Sequence, residues 1–235
     1  MNRSSFILAS ATVAALTGTA DAAMAVPGGT MLVERKKNFD EAAFNAKLGR
    51  PAQIRQMCEA IAVKPVMWNN LKNSLNGLQF GYGYEADKIA LAVAPHGASS
   101  SYTFSDYVWQ KYHIGEFFGI KGDDGKTVSS NIWLKATSTY DTSADPNNEK
   151  SMYQDRSIEM LQRRGLVMMT CHTAVEEQSR AIVKKGFAPA GLTPTDVAND
   201  ILTHLIPGAV VVPGMVATVA VLQARFHYTY LTLTF

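Results

Sequence analysis

The sequence predicts a single α/β domain with a mostly parallel sheet of four to five strands and helices on both faces. Four short apolar or alternating segments are typical of strands: residues 88–94, 166–170, 209–212 and 227–234. Segments with helix-type patterns lie between them, and this alternation indicates a parallel sheet with helical connections. Hydrophobic residues make up 47% of the 235-residue chain and charged residues 18%, which favours a packed core over disorder.

The start of the chain has the features of a secretory signal peptide. Arg3 precedes an apolar stretch at residues 6–16, and small-x-small cleavage sites end at Ala22 and Ala25. The apolar stretch is shorter than the roughly 20 residues that span a bilayer. The sequence therefore predicts a signal peptide at residues 1–22, with cleavage as late as residue 25, and a periplasmic or secreted protein. No integral membrane segment is expected to remain after cleavage.

Residues 23–50 are expected to form an extended arm and a short helix over residues 40–48, and the α/β domain is expected to cover residues 51–235. A helix is predicted to begin at Pro51, because proline is favoured in the first helical turn and apolar residues then recur with helical spacing. That apolar stripe comprises Ile54, Met57, Cys58 and Ile61. It predicts a buried core thiol for Cys58. A further helix is predicted to begin at Pro65.

Four more helices are predicted in the second half of the chain, at residues 149–163, at residues 172–185, after Thr193 and at residues 215–224. Thr193 has the character of an N-cap, because a proline and an acidic residue follow it in the first turn. Residues 119–148 are rich in Gly, Asp, Ser, Thr and Asn, and they predict a long surface excursion that forms a lid or an oligomer contact. An aromatic cluster is expected either to line a pocket or to belong to the core; it comprises Tyr102, Phe104, Tyr107, Trp109 and Tyr112.

The candidate site residues follow two of the predicted strands. Ligands in open α/β sheets bind outside the carboxyl ends of the strands. His96 follows the strand at residues 88–94, and Cys171 and His172 follow the strand at residues 166–170. Cys171 lies where a strand leads into a helix, and the positive potential at a helix N-terminus favours a thiolate, to which the two histidines would add electrostatic support. The alternative is that Cys171 is a buried structural cysteine.

Other chemistries have less support in the residues. The net charge of +2, without a basic stripe, argues against nucleic-acid binding. No cofactor is expected, because the chain has no glycine-rich nucleotide motif after a strand, no P-loop and no nucleophile elbow. A zinc site formed by His96, Cys171 and His172 is an alternative that lacks a compact ligand motif. A Cys58–Cys171 disulfide is another alternative in an oxidising compartment.

Several segments of the chain resemble DsrE/DsrF-like proteins, in particular their exported branch. The resemblance lies in residues 88–97 (KIALAVAPHG), residues 166–171 (LVMMTC) and residues 205–216 (LIPGAVVVPGMV), followed by Leu222-Gln223 and an aromatic strand. Residues 68–76 and the Asp106-x-x-Trp109-x-x-Tyr112 segment add to it. It covers roughly residues 50–118 and 150–233 and leaves the 119–148 excursion outside.

This resemblance implies a small α/β fold, often assembled as trimers or hexamers, and a role in sulfur relay. Such proteins carry sulfur as a persulfide on a cysteine, and Cys171 is the residue that matches it. The chain has no resolving cysteine beside Cys171, so sulfur carriage is a firmer expectation than catalytic turnover. The expected partners are a small sulfur compound or a sulfur-carrier protein, and further copies of the chain. The alternative function is a non-enzymatic ligand-binding or assembly module with a structural Cys171.

Overall fold

The computed structural model describes residues 39–136 and 145–232. The predicted signal peptide and extended arm, part of the predicted excursion, and the last residues of the final predicted strand lie outside this description. The helices of the described residues include α1 (Glu41–Leu48), α2 (Val66–Asn76), α3 (Asp106–Lys111), α4 (Ile114–Phe118), α5 (Ile158–Arg163), α6 (His172–Lys184), α7 (Pro194–Thr203) and α8 (Met215–Phe226). The strands are β1 (Ile54–Ala60), β2 (Ile89–Pro95), β3 (Leu166–Cys171), β4 (Val210–Val212) and β5 (Thr229–Thr232). None of the described helices combines the length and apolar character that crossing a bilayer requires.

The five strands form one all-parallel sheet in the order β4-β3-β2-β1-β5. This arrangement confirms the predicted fold class. The first four strands are added successively toward one side, and β5 then pairs with the other side of β1. The order of the strands therefore reverses between β1 and β5, and such reversals are where ligands commonly bind in α/β sheets.

Helices cover both faces of the sheet because β2 is apolar on both of its sides. All seven residues of β2 are buried. Ile89, Leu91 and Val93 pack in one cluster with side chains of α2 and α5. The alternate residues of β2, three alanines, pack in a second cluster with side chains of α1 and α8. Small side chains on this second face let α8 approach the sheet closely, and β2 is the central buried strand that its apolar run predicts.

The helix predicted at Pro51 is wrong, because residues 54–60 form strand β1. Spacing at i, i+3, i+4 and i+7 over so short a segment does not distinguish a helix from a strand. Two polar side chains of β1 are hydrogen-bonded to residues outside the strand. The Arg55 guanidinium donates to the carbonyl oxygens of Arg50 and Ala52, and Gln56 accepts the hydroxyl of Ser74. Tertiary pairing between β2 and β5 therefore decides the conformation of this segment.

The helix predicted over residues 149–163 is wrong in its first half. The segment forms a 3-10 turn at Met152–Gln154 and then α5. Side chains bond the backbone locally here and compete with a continuous helix. Ser151 accepts the N–H of Tyr153, Asp155 accepts that of Ser157, and Ser157 caps α5 by accepting the N–H of Met160.

The other predicted helices are confirmed, with boundaries set by their caps. Thr193 and Asp196 form a reciprocal capping box at the start of α7. Asp40 caps α1 by accepting the N–H of Ala43. Phe44 and Leu48 of α1 are buried in the second cluster, so the packed domain begins before residue 51.

The described part of the 119–148 excursion is tied to the core through Asn131. Its buried side-chain amide donates to the carbonyl oxygens of Tyr102 and Phe104, at 2.9 and 3.1 Å. Trp133 packs edge-on against the ring of Tyr102. Four members of the predicted aromatic cluster are fully buried, and Tyr107 is the half-exposed exception. The cluster is therefore core, and the described part of the excursion packs on it.

Candidate functional site

Cys171 lies at the junction that the sequence predicts, as the last residue of β3 and the N-cap of α6. Its sulfur accepts two backbone N–H groups. Ala174, in the first turn of α6, donates at 3.4 Å, and Met215, the first residue of α8, donates at 3.3 Å. The sulfur thus takes the place that a serine or aspartate oxygen usually holds at a helix N-terminus, and it does so for two helices at once.

The sheet brings the two helix N-termini together. Cys171 pairs in register with Val212 of the neighbouring strand β4. The chain leaves β4 through Pro213 and Gly214, and Gly214 precedes α8 without a capping side chain of its own. The Thr173 hydroxyl donates to the carbonyl oxygen of Pro213 at 2.9 Å, which holds the starts of the two helices against each other.

This geometry surrounds the sulfur with positive partial charge from backbone amides. Helices α6 and α8 have 13 and 12 residues, so each presents the positive end of a full-length dipole. Thiolates are the nucleophilic form of cysteine, and helix N-termini are among the environments that stabilise them. Cys171 keeps 6% of its surface exposed. The arrangement suits a sulfur that accepts hydrogen bonds at the carboxyl edge of the sheet, as a thiolate or a sulfur species attached to it would.

The two predicted histidines are held by carboxylates. His172 is the first residue of α6, and its Nδ1 lies 3.5 Å from Oε1 of Glu176. Nε2 of His96 lies 2.9 Å from Oε1 of Glu59, and the backbone N–H of His96 donates to the Ser99 hydroxyl at 2.9 Å. Among the described residues, the hydrogen bonds to the Cys171 sulfur come from backbone amides. His172 directly follows Cys171 in the chain, whereas the His96 side chain contacts a different group of side chains.

That second group lies at the carboxyl ends of β1, β2 and β5. Glu59 accepts the phenol of Tyr230 and the hydroxyl of Thr232, and it contacts His96 on its other oxygen. Glu59 and Thr232 are register partners in β1 and β5. The carboxylate thus links three neighbouring strands where the strand order reverses. Sequence reasoning missed Glu59 because its segment was predicted as a helix; as the penultimate residue of a strand, it would have fallen on this edge.

Cys58 lies on the opposite face of the sheet from Cys171. It packs in the cluster of α2 and α5, whereas Cys171 packs in the cluster of α1 and α8. Both cysteines are free, so the structure does not form the disulfide considered from the sequence. Burial, together with the charge of Glu59, raises the pKa of Cys58 to about 12. Cys58 is the buried core thiol that the sequence predicts, although it lies on a strand.

The metal alternative gains no support from the described residues, which contain no group of three or more His, Cys, Asp or Glu side chains placed to hold an ion. Comparisons of the chain with protein-family models, with curated proteins and with solved structures find no match. The candidate site is therefore defined by its geometry: one sulfur, two helix N-termini and the carboxyl edge of a parallel sheet.

Proposed function

We propose that this protein is an exported, DsrE-like sulfur carrier that holds sulfur as a persulfide on Cys171. The observation that carries the proposal is the pair of backbone N–H groups, from Ala174 and Met215, that converge on the Cys171 sulfur. The resemblance of the segments around His96, Cys171 and Val212 to DsrE/DsrF-like proteins supports the same reading. The proposal concerns carriage of sulfur and includes no catalytic turnover.

The loading step balances without an oxidant. The Cys171 thiolate attacks the outer sulfur of a donor persulfide, R–S–SH. A new sulfur–sulfur bond forms on Cys171, the sulfur–sulfur bond of the donor breaks, and the R–S⁻ thiolate leaves and takes up a proton from water. Unloading is the same reaction in reverse toward an acceptor thiolate. The two amides stabilise negative charge on the Cys171 sulfur both as the attacking thiolate and as the leaving group.

The proposed donor or acceptor is a small sulfur compound or a sulfur-carrier protein outside the cytoplasm. In an oxidising compartment an exposed thiol is readily lost to disulfide formation. Cys171 is only 6% exposed, and this burial restricts access to small or well-fitted reagents. This combination suits a carrier that must accept sulfur and keep it.

Persulfide loading tests the proposal directly. Purified mature protein is incubated with glutathione persulfide under nitrogen, and its intact mass is measured before and after treatment with a reductant. The wild type and the Cys58→Ser variant are expected to gain one sulfur atom that the reductant removes. The Cys171→Ser variant is expected to gain none. Equal loading of the Cys171→Ser and Cys58→Ser variants would overturn the proposal.

A second candidate is a non-enzymatic assembly or ligand-binding module, and the exposed face of α8 favours it. Val216 is 76% exposed and Val221 is 40% exposed, and Arg225 is the one charged residue in this helix. An apolar helix face of this kind suits contact with another protein surface. This candidate predicts that Cys171→Ala leaves the oligomer size unchanged in light scattering, whereas Val216→Asp reduces it. A loss of assembly in Cys171→Ala would contradict it.

A further inference from the structure

A cavity of about 230 Å³ lies between α1 and α8, on the same face of the sheet as Cys171. Phe39 and Phe44 line it from the side of α1, and Ala217 and Val221 line it from α8. The rings of Phe39 and Phe44 pack edge-on, with their centroids 5.4 Å apart. We call this space the α1–α8 cavity. Its two side walls are apolar, and one of them is aromatic.

The α1–α8 cavity begins beside a group that binds the Cys171 sulfur. Gly214 lines the cavity, and the next residue, Met215, donates its backbone N–H to the sulfur. A Cβ built on Gly214 would have the Thr173 hydroxyl oxygen, at 3.9 Å, as its nearest contact among the described residues outside its own chain neighbours. The absent side chain therefore leaves open space between the cavity and the start of α6, where Cys171 lies.

The charges that line the α1–α8 cavity balance each other. Among the described residues, its charged lining side chains are Glu41 and Arg225, and Oε1 of Glu41 lies 3.8 Å from Nη1 of Arg225. The Arg225 guanidinium also lies over the ring of Phe226, 5.0 Å from its centroid. The Thr218 hydroxyl, which also lines the cavity, donates to the carbonyl oxygen of Gly214 at 2.8 Å. The described lining therefore carries no net charge and favours a neutral, apolar group over an ionic one.

The size of the α1–α8 cavity limits the group that it can hold. Pockets that enclose drug-sized molecules have volumes of roughly 300–1,000 Å³, whereas this cavity has about 230 Å³. A short alkyl chain or a single aromatic ring is of the matching size. Val221 is 40% exposed, so such a group would remove apolar surface from water when it binds.

We propose that the α1–α8 cavity binds the apolar organic group R of a small persulfide donor, R–S–SH, whose outer sulfur is transferred to Cys171. The inference rests on the sulfur carriage proposed above and names the class of its donor: R is a short alkyl chain or a single ring. In the transfer, a new sulfur–sulfur bond forms on Cys171, the sulfur–sulfur bond of the donor breaks, and R–S⁻ leaves and takes up a proton from water. Apolar contacts to R hold the donor beside the Cys171 sulfur.

Two alkylating reagents that differ by one alkyl chain test the cavity without any sulfur transfer. Iodoacetamide and N-hexyliodoacetamide carry the same reactive group. The rate of each with Cys171 is measured by peptide mass spectrometry in the mature wild-type protein and in Val221→Gln and Val216→Gln variants. Val216 is the matched control, because it lies on the same helix and is exposed but does not line the cavity. Both valines are exposed, so both variants are expected to keep the wild-type circular dichroism and melting temperature.

The wild type is expected to react about tenfold faster with the hexyl reagent, because burial of about two methylene groups changes a rate constant by roughly that factor. Val221→Gln is expected to lower the ratio of the two rates at least about threefold, because it removes apolar contact area. Val216→Gln is expected to keep the wild-type ratio. Equal rates of the two reagents in the wild type, or equal ratios in the two variants, would overturn the proposal.

Loading with two persulfide donors then separates the class of the donor from sulfur carriage itself. Hexyl persulfide has an apolar group of the matching kind, whereas glutathione persulfide has a larger, charged one. The wild type is expected to gain its sulfur atom about tenfold faster from hexyl persulfide, and Val221→Gln is expected to reduce this preference. Equal loading rates from the two donors would overturn the proposed donor class and leave sulfur carriage intact. Loading by neither donor would overturn both proposals.

Discussion

The two cysteines of the described chain occupy opposite faces of one sheet, and their surroundings differ in kind. Cys58 lies in the middle of the fold, 0% exposed, among apolar side chains that leave its thiol neutral over the physiological pH range. Cys171 is 6% exposed and receives N–H groups from the first turns of two helices. Both count as buried, so burial does not distinguish them. What distinguishes the two sulfurs is the number of N–H donors that point at each one and the position of Cys171 at the carboxyl edge of the sheet.

The largest expected difference between the two positions is in the free energy of unfolding after substitution by serine. At position 171 a hydroxyl accepts the same two N–H groups and acts as an ordinary N-cap. At position 58 a hydroxyl is buried among apolar groups, at a cost of about 2 kcal/mol. Urea denaturation of Cys58→Ser and Cys171→Ser measures the difference. Equal free energies of unfolding would show that the polar surroundings of the two sulfurs do not differ.

Removing one N–H donor to the Cys171 sulfur should slow alkylation of that sulfur. Met215→Pro deletes the backbone N–H, and proline is tolerated as the first residue of a helix. Gly214, with φ −157° and ψ 127°, has the extended conformation that the residue before a proline prefers. Alkylation of Cys171 is expected to fall about tenfold relative to Met215→Ala, which loses the same side chain and keeps the N–H. Equal rates in these two variants would contradict a role for the α8 amide.

The alkaline stability of the protein should depend on Cys58. Its pKa is raised from 9.0 in the unfolded chain to about 12 in the fold, so its contribution is present below pH 9 and is lost as the pH rises through 12. At about pH 9.5 the unfolded state gains roughly 0.8 kcal/mol from ionisation of this thiol. The free energy of unfolding of Cys58→Ala should therefore fall less between pH 7 and about pH 9.5 than that of the wild type. An equal fall in the free energy of unfolding for the two proteins would contradict the raised pKa of Cys58.

Glu59 should affect β5 more than it affects either sulfur. Glu59→Gln weakens the side-chain bonds from Tyr230 and Thr232 that hold this edge strand, at a cost below about 1 kcal/mol. Faster hydrogen exchange is expected at the amides of β5, with unchanged exchange in the first turns of α6 and α8. Faster exchange in α6 would instead indicate that the Glu59 and Cys171 groups are coupled.

The sequence predicted the fold class, the strands with continuous apolar runs and the helices with strong caps. It failed for β1 because the polar side chains of Gln56 and Glu59 interrupt its apolar pattern and bond to distant segments that no local pattern reveals. The same failure concealed the Glu59 group. The Cys171 site was predictable as a strand-to-helix junction, since that feature is local. The second donor, Met215, was not, because it depends on the pairing of β3 with β4.

Labelling of the native protein with iodoacetamide at neutral pH, followed by peptide mass spectrometry, tests the difference between the two sulfurs most directly. The thiolate is the reactive form, and a pKa near 12 leaves Cys58 almost entirely protonated. Cys171 is expected to react at least about a hundredfold faster than Cys58 in the folded protein, and both are expected to react in denaturant. A Cys171 that stays unlabelled until the protein is unfolded would contradict the account and leave it a structural cysteine.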